Sequence, residues 1–247
     1  MRISVPGRVA RFAALLTLGS ALAVASPAMA HGVVHGPKRK LGAGTSTNWS
    51  GYSVDGTNAT FVTGSWTVQP AQCAAKETSW SSPWVGIDGD NSSTVEQTGT
   101  DTDCSSGTPS YYAWWEMYPK STVVIGDSIS PGDSMTGTVD YTGGGNFVLT
   151  LTDNTAGWTF TTTQNSTKAP RTSVEWIVEG PSHGTLTDFG TLSFSSDSAA
   201  INGVDESLSA FGSAANSITM ATKKGVVRAA PSAVGRKGGF SDTWESG

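Results

Sequence analysis

Catalytic chemistry in this chain must come from carboxylates and amides. Only three histidines are present, His31, His35 and His183, and the first two fall in a leader ahead of the body. A Ser-His-Asp triad would rest on His183 alone, in Pro181-Ser-His-Gly184, and no G-x-S-x-G elbow accompanies it. No HExxH pair and no Cys/His set at zinc spacing occurs, and the acidic Gly86-Ile-Asp-Gly-Asp90-Asn91 lacks the closing glutamate of an EF-hand loop. Neither a metal nor a cofactor is expected. The glycines also form no phosphate loop, having no Lys-Ser/Thr ending and no following helix. What remains is acid and base chemistry by Asp and Glu, with side-chain amides as neutral hydrogen-bond partners.

Strand alternation shows how such groups could converge. In Ser173-Val-Glu-Trp-Ile-Val-Glu179, Glu175, Ile177 and Glu179 share one face and Val174, Trp176 and Val178 the other. Across residues 111–119, Tyr112, Trp114, Glu116 and Tyr118 oppose Tyr111, Ala113, Trp115 and Met117. In Pro83-Trp-Val-Gly-Ile-Asp88, Trp84, Gly86 and Asp88 oppose Val85 and Ile87, and in Thr94-Val-Glu-Gln97 the amide of Gln97 opposes Glu96. Four strands could thus bring Trp84, Asp88, Gln97, Trp114, Glu116, Tyr118 and Glu179 to one concave sheet surface. The same parity fits a second arrangement, with the tryptophans in a core between sheets and the acids outside.

The elements that must position these residues are short strands. Runs rich in Thr, Val, Trp and Tyr recur at 64–68, 83–87, 111–118, 134–141, 146–152 and 158–163, separated by Gly/Asn/Asp/Ser clusters. Gly143-Gly-Gly145 and Asp153-Asn-Thr-Ala-Gly157 read as hairpin connections. The spacing predicts an all-β fold, an antiparallel β-sandwich, and Phe240 and Trp244 suggest a last strand returning to the sheet. No helical period of useful length and no internal repeat follows the leader.

The leader has its own grammar. Arg2, Arg8 and Arg11 precede an apolar run over 12–24 and then Ser26-Pro-Ala-Met-Ala30, the pattern of a signal peptide over 1–30 cut after Ala30. Its apolar run is shorter than the roughly 20 residues a bilayer span needs. Residues 31–46 are aperiodic and read as a short pro-segment or linker, leaving 47–247 as a single sandwich domain. The mature protein is expected to be secreted, free of the membrane and monomeric. Without the signal peptide the chain carries twelve basic against twenty acidic side chains, and between Thr45 and Met220 only Lys76, Lys120, Lys168 and Arg171 oppose eighteen acids. That balance argues against nucleic acid as a partner. It suits either an acidic milieu or selection for solubility. Cys73 and Cys104, in an exported chain without a CxxC spacing, are expected to form one disulfide.

Four ordered blocks carry a family resemblance. Trp84-Val-Gly-Ile-Asp-Gly89, Gln97-Thr-Gly99, Ala113-Trp-Trp-Glu-Met-Tyr-Pro119 and Glu175-Trp-Ile-Val-Glu179 resemble the characteristic segments of the glutamic peptidases called eqolisins, with further matches at Asn48-Trp-Ser-Gly51 and Ser130-Pro-Gly-Asp-Ser134. The resemblance implies a lectin-like, jelly-roll sandwich of two large sheets whose concave sheet carries the cleft. It also implies acid-active endopeptidase activity on polypeptide substrates and a catalytic dyad of Gln97 and Glu179. Trp84, Asp88, Asp101, Trp114, Glu116 and Tyr118 match positions that line or support the substrate cleft. Glu96 and Met117 depart from the family pattern, both on the face opposite the cleft.

The implied chemistry is coherent. Ionised Glu179 would take a proton from the attacking water and return it to the leaving amine, while Gln97 would orient the water and stabilise the oxyanion without adding charge. A base near the ordinary glutamate value, about 4, would suit acidic solution. Two other classes fit the same residues. A lectin-like module would stack sugars on Trp84, Trp114, Trp115 and Tyr118, and a glycoside hydrolase would use Glu116 and Glu179 as its carboxyl pair.

Overall fold

The computed structural model describes Met1, residues 35–180 and residues 184–247. The expected signal peptide, the start of the pro-segment and His183 lie outside the described residues. Nineteen strands follow in chain order among those described: β1 (Lys40–Gly42), β2 (Thr45–Ser46), β3 (Trp49–Asp55), β4 (Phe61–Thr67), β5 (Ser79–Trp80), β6 (Ser82–Ile87), β7 (Val95–Ser105), β8 (Thr108–Tyr118), β9 (Val123–Val124), β10 (Ser134–Gly143), β11 (Asn146–Asp153), β12 (Trp158–Asn165), β13 (Ser173–Glu179), β14 (Thr185–Leu186), β15 (Thr191–Ile201), β16 (Val204–Ser207), β17 (Ala215–Ala221), β18 (Val227–Pro231) and β19 (Phe240–Trp244). The all-β antiparallel expectation holds, and the returning strand suggested by Phe240 and Trp244 is β19.

The strands form two layers joined along β17. One layer runs β12-β11-β10-β4-β15-β19-β18-β17-β2-β1, with β16 folded back on β15. The other runs β17-β3-β13-β6-β7-β8-β9, with β5 on β7 and β14 on β5. Every pairing is antiparallel except β17 with β2 and β14 with β5. The layers bury Val62 and Trp66 of β4, Met135 and Val139 of β10, Val85 and Ile87 of β6, and Val174, Trp176 and Val178 of β13 in one cluster. Aliphatic side chains buried like this contribute about 1.5–3 kcal/mol each.

A second apolar cluster, Trp49, Trp84, Val95, Trp114, Ile177 and Ile218, forms on the other face of the second layer. Because strand side chains alternate with period two, β13 and β6 contribute to both clusters. This separates the two arrangements that parity left open. Trp84 and Trp114 lie away from the inter-layer core, whereas Trp115 packs against it and Met117 belongs to it.

The Cys73–Cys104 disulfide is present, tying the segment before β5 to the end of β7 with a Cα–Cα separation of 5.6 Å. In β15 the register against β4 slips between Ser195 and Ser198, and Ser196 takes φ 58°. The extra residue of this bulge turns Asp197 inward, leaving it 1% exposed.

Candidate active site

Four adjacent strands of the second layer, β13, β6, β7 and β8, supply the proposed dyad and its surroundings. β6 pairs on one side with β13, placing Ile177 opposite Trp84 and Glu179 opposite Ser82. On its other side it pairs with β7, placing Gly86 opposite Gln97, and Gln97 in turn faces Glu116 of β8. Gln97, Glu116 and Glu179 are essentially fully buried. Two glycines make room for the indoles beside them. A Cβ at Gly86 would lie 2.9 Å from the Trp84 ring and 3.1 Å from Gln97 Cβ, and one at Gly99 would lie 2.8 Å from Trp114 and 2.5 Å from the Pro83 carbonyl oxygen.

Glu179 and Gln97 meet on one peptide unit. Glu179 Oε1 accepts hydrogen bonds from Asn48 Nδ2 at 3.0 Å and from the Gly36 backbone N–H at 3.2 Å, and Oε2 accepts one from Trp84 Nε1 at 3.1 Å. Gln97 Nε2 donates to the carbonyl oxygen of His35 at 2.8 Å. Gln97 Oε1 has no hydrogen-bond partner among the described residues. The dyad residues therefore touch the two ends of the His35–Gly36 peptide bond, the glutamate at its nitrogen and the amide at its oxygen.

Asp101, Trp114, Glu116 and Tyr118 surround the same segment. The His35 imidazole stacks flat on Trp114, with ring centroids 3.8 Å apart at 3°. Its Nε2 lies 3.0 Å from Asp101 Oδ1 and its Nδ1 lies 3.3 Å from Glu116 Oε2. Trp114 Nε1 and the Tyr112 hydroxyl both donate to Asp101, and Thr122 Oγ1 donates to Glu116. Tyr118 flanks Gly36, where an added Cβ would sit 3.5 Å from its ring.

Asp88 is placed elsewhere. It follows the last residue of β6 with φ 73°, which breaks the alternation that grouped it with Trp84. Its carboxylate accepts hydrogen bonds from the backbone of Arg171 and Thr172 at 2.9 and 2.8 Å and so fixes the turn into β13. Asn48, Trp49, Tyr112 and Thr122 complete the site without having been singled out as site residues. The match at Asn48-Trp-Ser-Gly51 was the available signal for the first two.

The electrostatics are those of a buried, acidic pocket. Burial pushes Glu179 up to about 7, opposed by the charge on His35 and by the Gly36 and Asn48 hydrogen bonds. This exceeds the value near 4 expected from sequence, because desolvation of the covered carboxylate outweighs its donors. For His35 burial acts to lower the value, but Asp101 and Glu116 outweigh it and raise the imidazole to about 10. Below that value it is an imidazolium clamped between carboxylates. No group of three or more metal-ligating side chains occurs among the described residues, and none of their helices is long and apolar enough to cross a membrane.

Comparison with known proteins adds three findings. The family model described as Peptidase A4 matches residues 47–237. Aspergillopepsin-2 of Aspergillus niger is 34% identical over 185 residues, covering 64% of this chain and 66% of its own length, and scytalidopepsin B of Scytalidium lignicola is 32% identical over 197 residues, covering 75% and 73%. The chain thus spans about two thirds of the first of these relatives. Among solved structures, scytalido-glutamic peptidase with a transition state analog inhibitor superposes with a TM-score of 0.68 at 25% identity, covering 81% of this chain and 98% of that one. Aspergilloglutamic peptidase from Aspergillus niger gives 0.59 at 30%, covering 68% and 99%.

Proposed function

The chain belongs to the Peptidase A4 family, the eqolisin resemblance read from its sequence, and from that premise we propose that it is a secreted, acid-active glutamic endopeptidase working through Gln97 and Glu179. The observation that carries this reading is the engagement of one peptide bond from both ends, Gln97 Nε2 at a carbonyl oxygen and Glu179 Oε1 at the following nitrogen. Ionised Glu179 draws a proton from water as the water attacks the carbonyl carbon, and returns it to the departing nitrogen. Gln97 meets the oxygen as it gains charge, and its unpaired Oε1 accepts a hydrogen bond from the attacking water.

Acid activity belongs to the uncovered cleft. Burial is the leading cause of the raised Glu179 value, larger than the His35 charge and the Gly36 N–H that oppose it, so when residues 35–38 lift away the water that enters outweighs the two opposing groups that leave and extends the base form toward acidic solution. Glu116 and Asp101 bind substrate beside the dyad, and the mature enzyme acts as a monomer on polypeptides outside the cell. Digestion of a denatured, labelled protein between pH 3 and 7 tests the reading. Gln97→Ala is expected to reduce kcat about 10²–10³-fold, and Glu179→Gln about 10²–10⁴-fold. Full activity in Glu179→Gln, or sugar release without proteolysis by the wild type, would overturn it.

A further inference from the structure

The segment lying in the cleft is the chain's own. His35 and Gly36 precede β1 in sequence, yet all four of their backbone polar groups are held by side chains of the sandwich. His35 N–H donates to Glu116 Oε2 at 3.1 Å and its carbonyl accepts from Gln97 at 2.8 Å. Gly36 N–H donates to Glu179 at 3.2 Å, and its carbonyl accepts from Trp49 Nε1 at 3.0 Å. Asn48 Nδ2 also donates to the Pro37 carbonyl at 3.2 Å. Beyond this, Lys38 N–H bonds the Gly89 carbonyl at 3.0 Å and Lys38 Nζ forms an ion pair with Asp90 at 2.9 Å. The imidazole of His35 is fully buried against Trp114, Asp101 and Glu116. An adventitious covering loop would leave some of these groups to water. This one is read residue by residue, as a substrate is.

We propose that His35–Gly36 is a maturation bond that the protein hydrolyses in itself, a role that rests on the peptidase reading of the same site. Water supplies the nucleophile. Its oxygen bonds to the His35 carbonyl carbon and the bond from that carbon to the Gly36 nitrogen breaks. One water proton passes by way of Glu179 to the Gly36 nitrogen, giving an amine; the other leaves the new His35 carboxyl group and is taken up by that amine, so that His35 ends as a carboxylate and Gly36 as an ammonium. Of the two carboxylate oxygens of Glu179, Oε1 lies at the leaving nitrogen, and Oε2 accepts from Trp84 and has the capacity to accept a second hydrogen bond.

The cut turns an internal stretch into a chain terminus. The acyl-side subsite, the box of Trp114, Asp101 and Glu116, is emptied when the piece ending at His35 departs. Gly36 to Lys38 stay tethered by the Lys38–Asp90 pair as a short end that incoming substrate displaces. The box also defines what that subsite accepts from other polypeptides, a flat cationic side chain such as protonated histidine.

The test follows the full chain, expressed from Met1, by intact mass and N-terminal sequencing at pH 3, 5 and 7, with cleavage of a denatured labelled protein measured in the same samples. Expected is a species beginning at Gly36 that appears with first-order kinetics unchanged over a tenfold range of protein concentration. It should be absent in Glu179→Gln and at least tenfold slower in His35→Glu, which sets a third carboxylate against Asp101 and Glu116. Cleavage of the added protein with His35–Gly36 left intact would overturn this inference and leave the peptidase reading standing. Formation of the Gly36 terminus at an equal rate in Glu179→Gln would overturn it as well. Absence of both cleavages would remove the peptidase reading and the maturation bond together.

Discussion

Replacing Asp197 by asparagine should change how stability depends on pH, and the size of the change can be worked from its surroundings. The bulge in β15 turns this carboxyl inward, where it is 1% exposed and neither oxygen has a hydrogen-bond partner among the described residues. A Cβ added at Gly64 would come within 2.7 Å of both Asp197 Oδ1 and Trp176 Cδ1, which locates the acid beside an indole. Burial, the only cause acting, pushes it up to about 8 from 3.8. The folded state therefore holds a proton that the unfolded chain releases between about pH 4 and pH 8. Stability is fully present below pH 4, falls as pH rises through that window, and is flat with respect to this group above it. Each pH unit inside the window corresponds to at most about 1.36 kcal/mol per group. From pH 4 to pH 7 the ceiling for Asp197 is about 4 kcal/mol, and local relaxation and water entry reduce it to about 2–4 kcal/mol.

Asparagine keeps the shape and cannot ionise, so Asp197→Asn should lose that much less stability between pH 4 and pH 7 than the wild type. Urea denaturation followed by tryptophan fluorescence at pH 4, 5.5 and 7 measures it. Glu96, Asp103 and Asp242, raised by burial to about 9, 8 and 7, act in the same direction in both proteins and cancel in the comparison. A stability difference between variant and wild type that is the same at pH 4 and pH 7 would refute the reasoning.

Three further outcomes follow from the geometry. Gly99→Ala should destabilise by about 2–4 kcal/mol in urea titrations and depress proteolysis, since its methyl meets the Pro83 carbonyl and the side chains of Trp84 and Trp114. Trp84→Phe removes a donor to Glu179 Oε2, which raises the glutamate further and should move the acidic limb of the kcat/KM profile upward by about one pH unit. Replacing Cys73 and Cys104 together by serine should cost about 3–4 kcal/mol, the loop-closure value for a bridge across 31 residues, read as a lower urea midpoint.

Alternation made much of the site legible because β13 and β6 are packed on both faces, so a side chain's parity fixes its cluster. Ile177 in the cleft cluster and Val174, Trp176 and Val178 in the inter-layer core follow that rule. It failed at Asp88, where a left-handed backbone interrupts the strand. β15 was not anticipated. Its Thr-Leu-Ser-Phe-Ser-Ser-Asp stretch is rich in small polar residues, and the bulge breaks the period halfway along. The basic stretch after Met220 was not among the expected strands, yet it contains β18, whose Arg228 is buried and donates to the Gly184 carbonyl at 2.8 Å. Residues 40–46, aperiodic in sequence, pair as β1 and β2 through backbone bonds that leave no side-chain period to detect. The contact of His35 with Asp101 spans 66 residues, and no local pattern encodes it.

The cleft grips a peptide through the tips of Gln97, Glu116, Glu179, Trp49 and Asn48, while the backbones of the strands beneath remain occupied with one another. An enzyme that reads its substrate by adding it as a strand to a sheet edge is bound to that edge's register. Here each subsite is a separate side-chain fitting on a finished framework. On the proposed reading its preferences would therefore be rewritten one residue at a time, Asp101 and Glu116 first, without re-pairing a single strand.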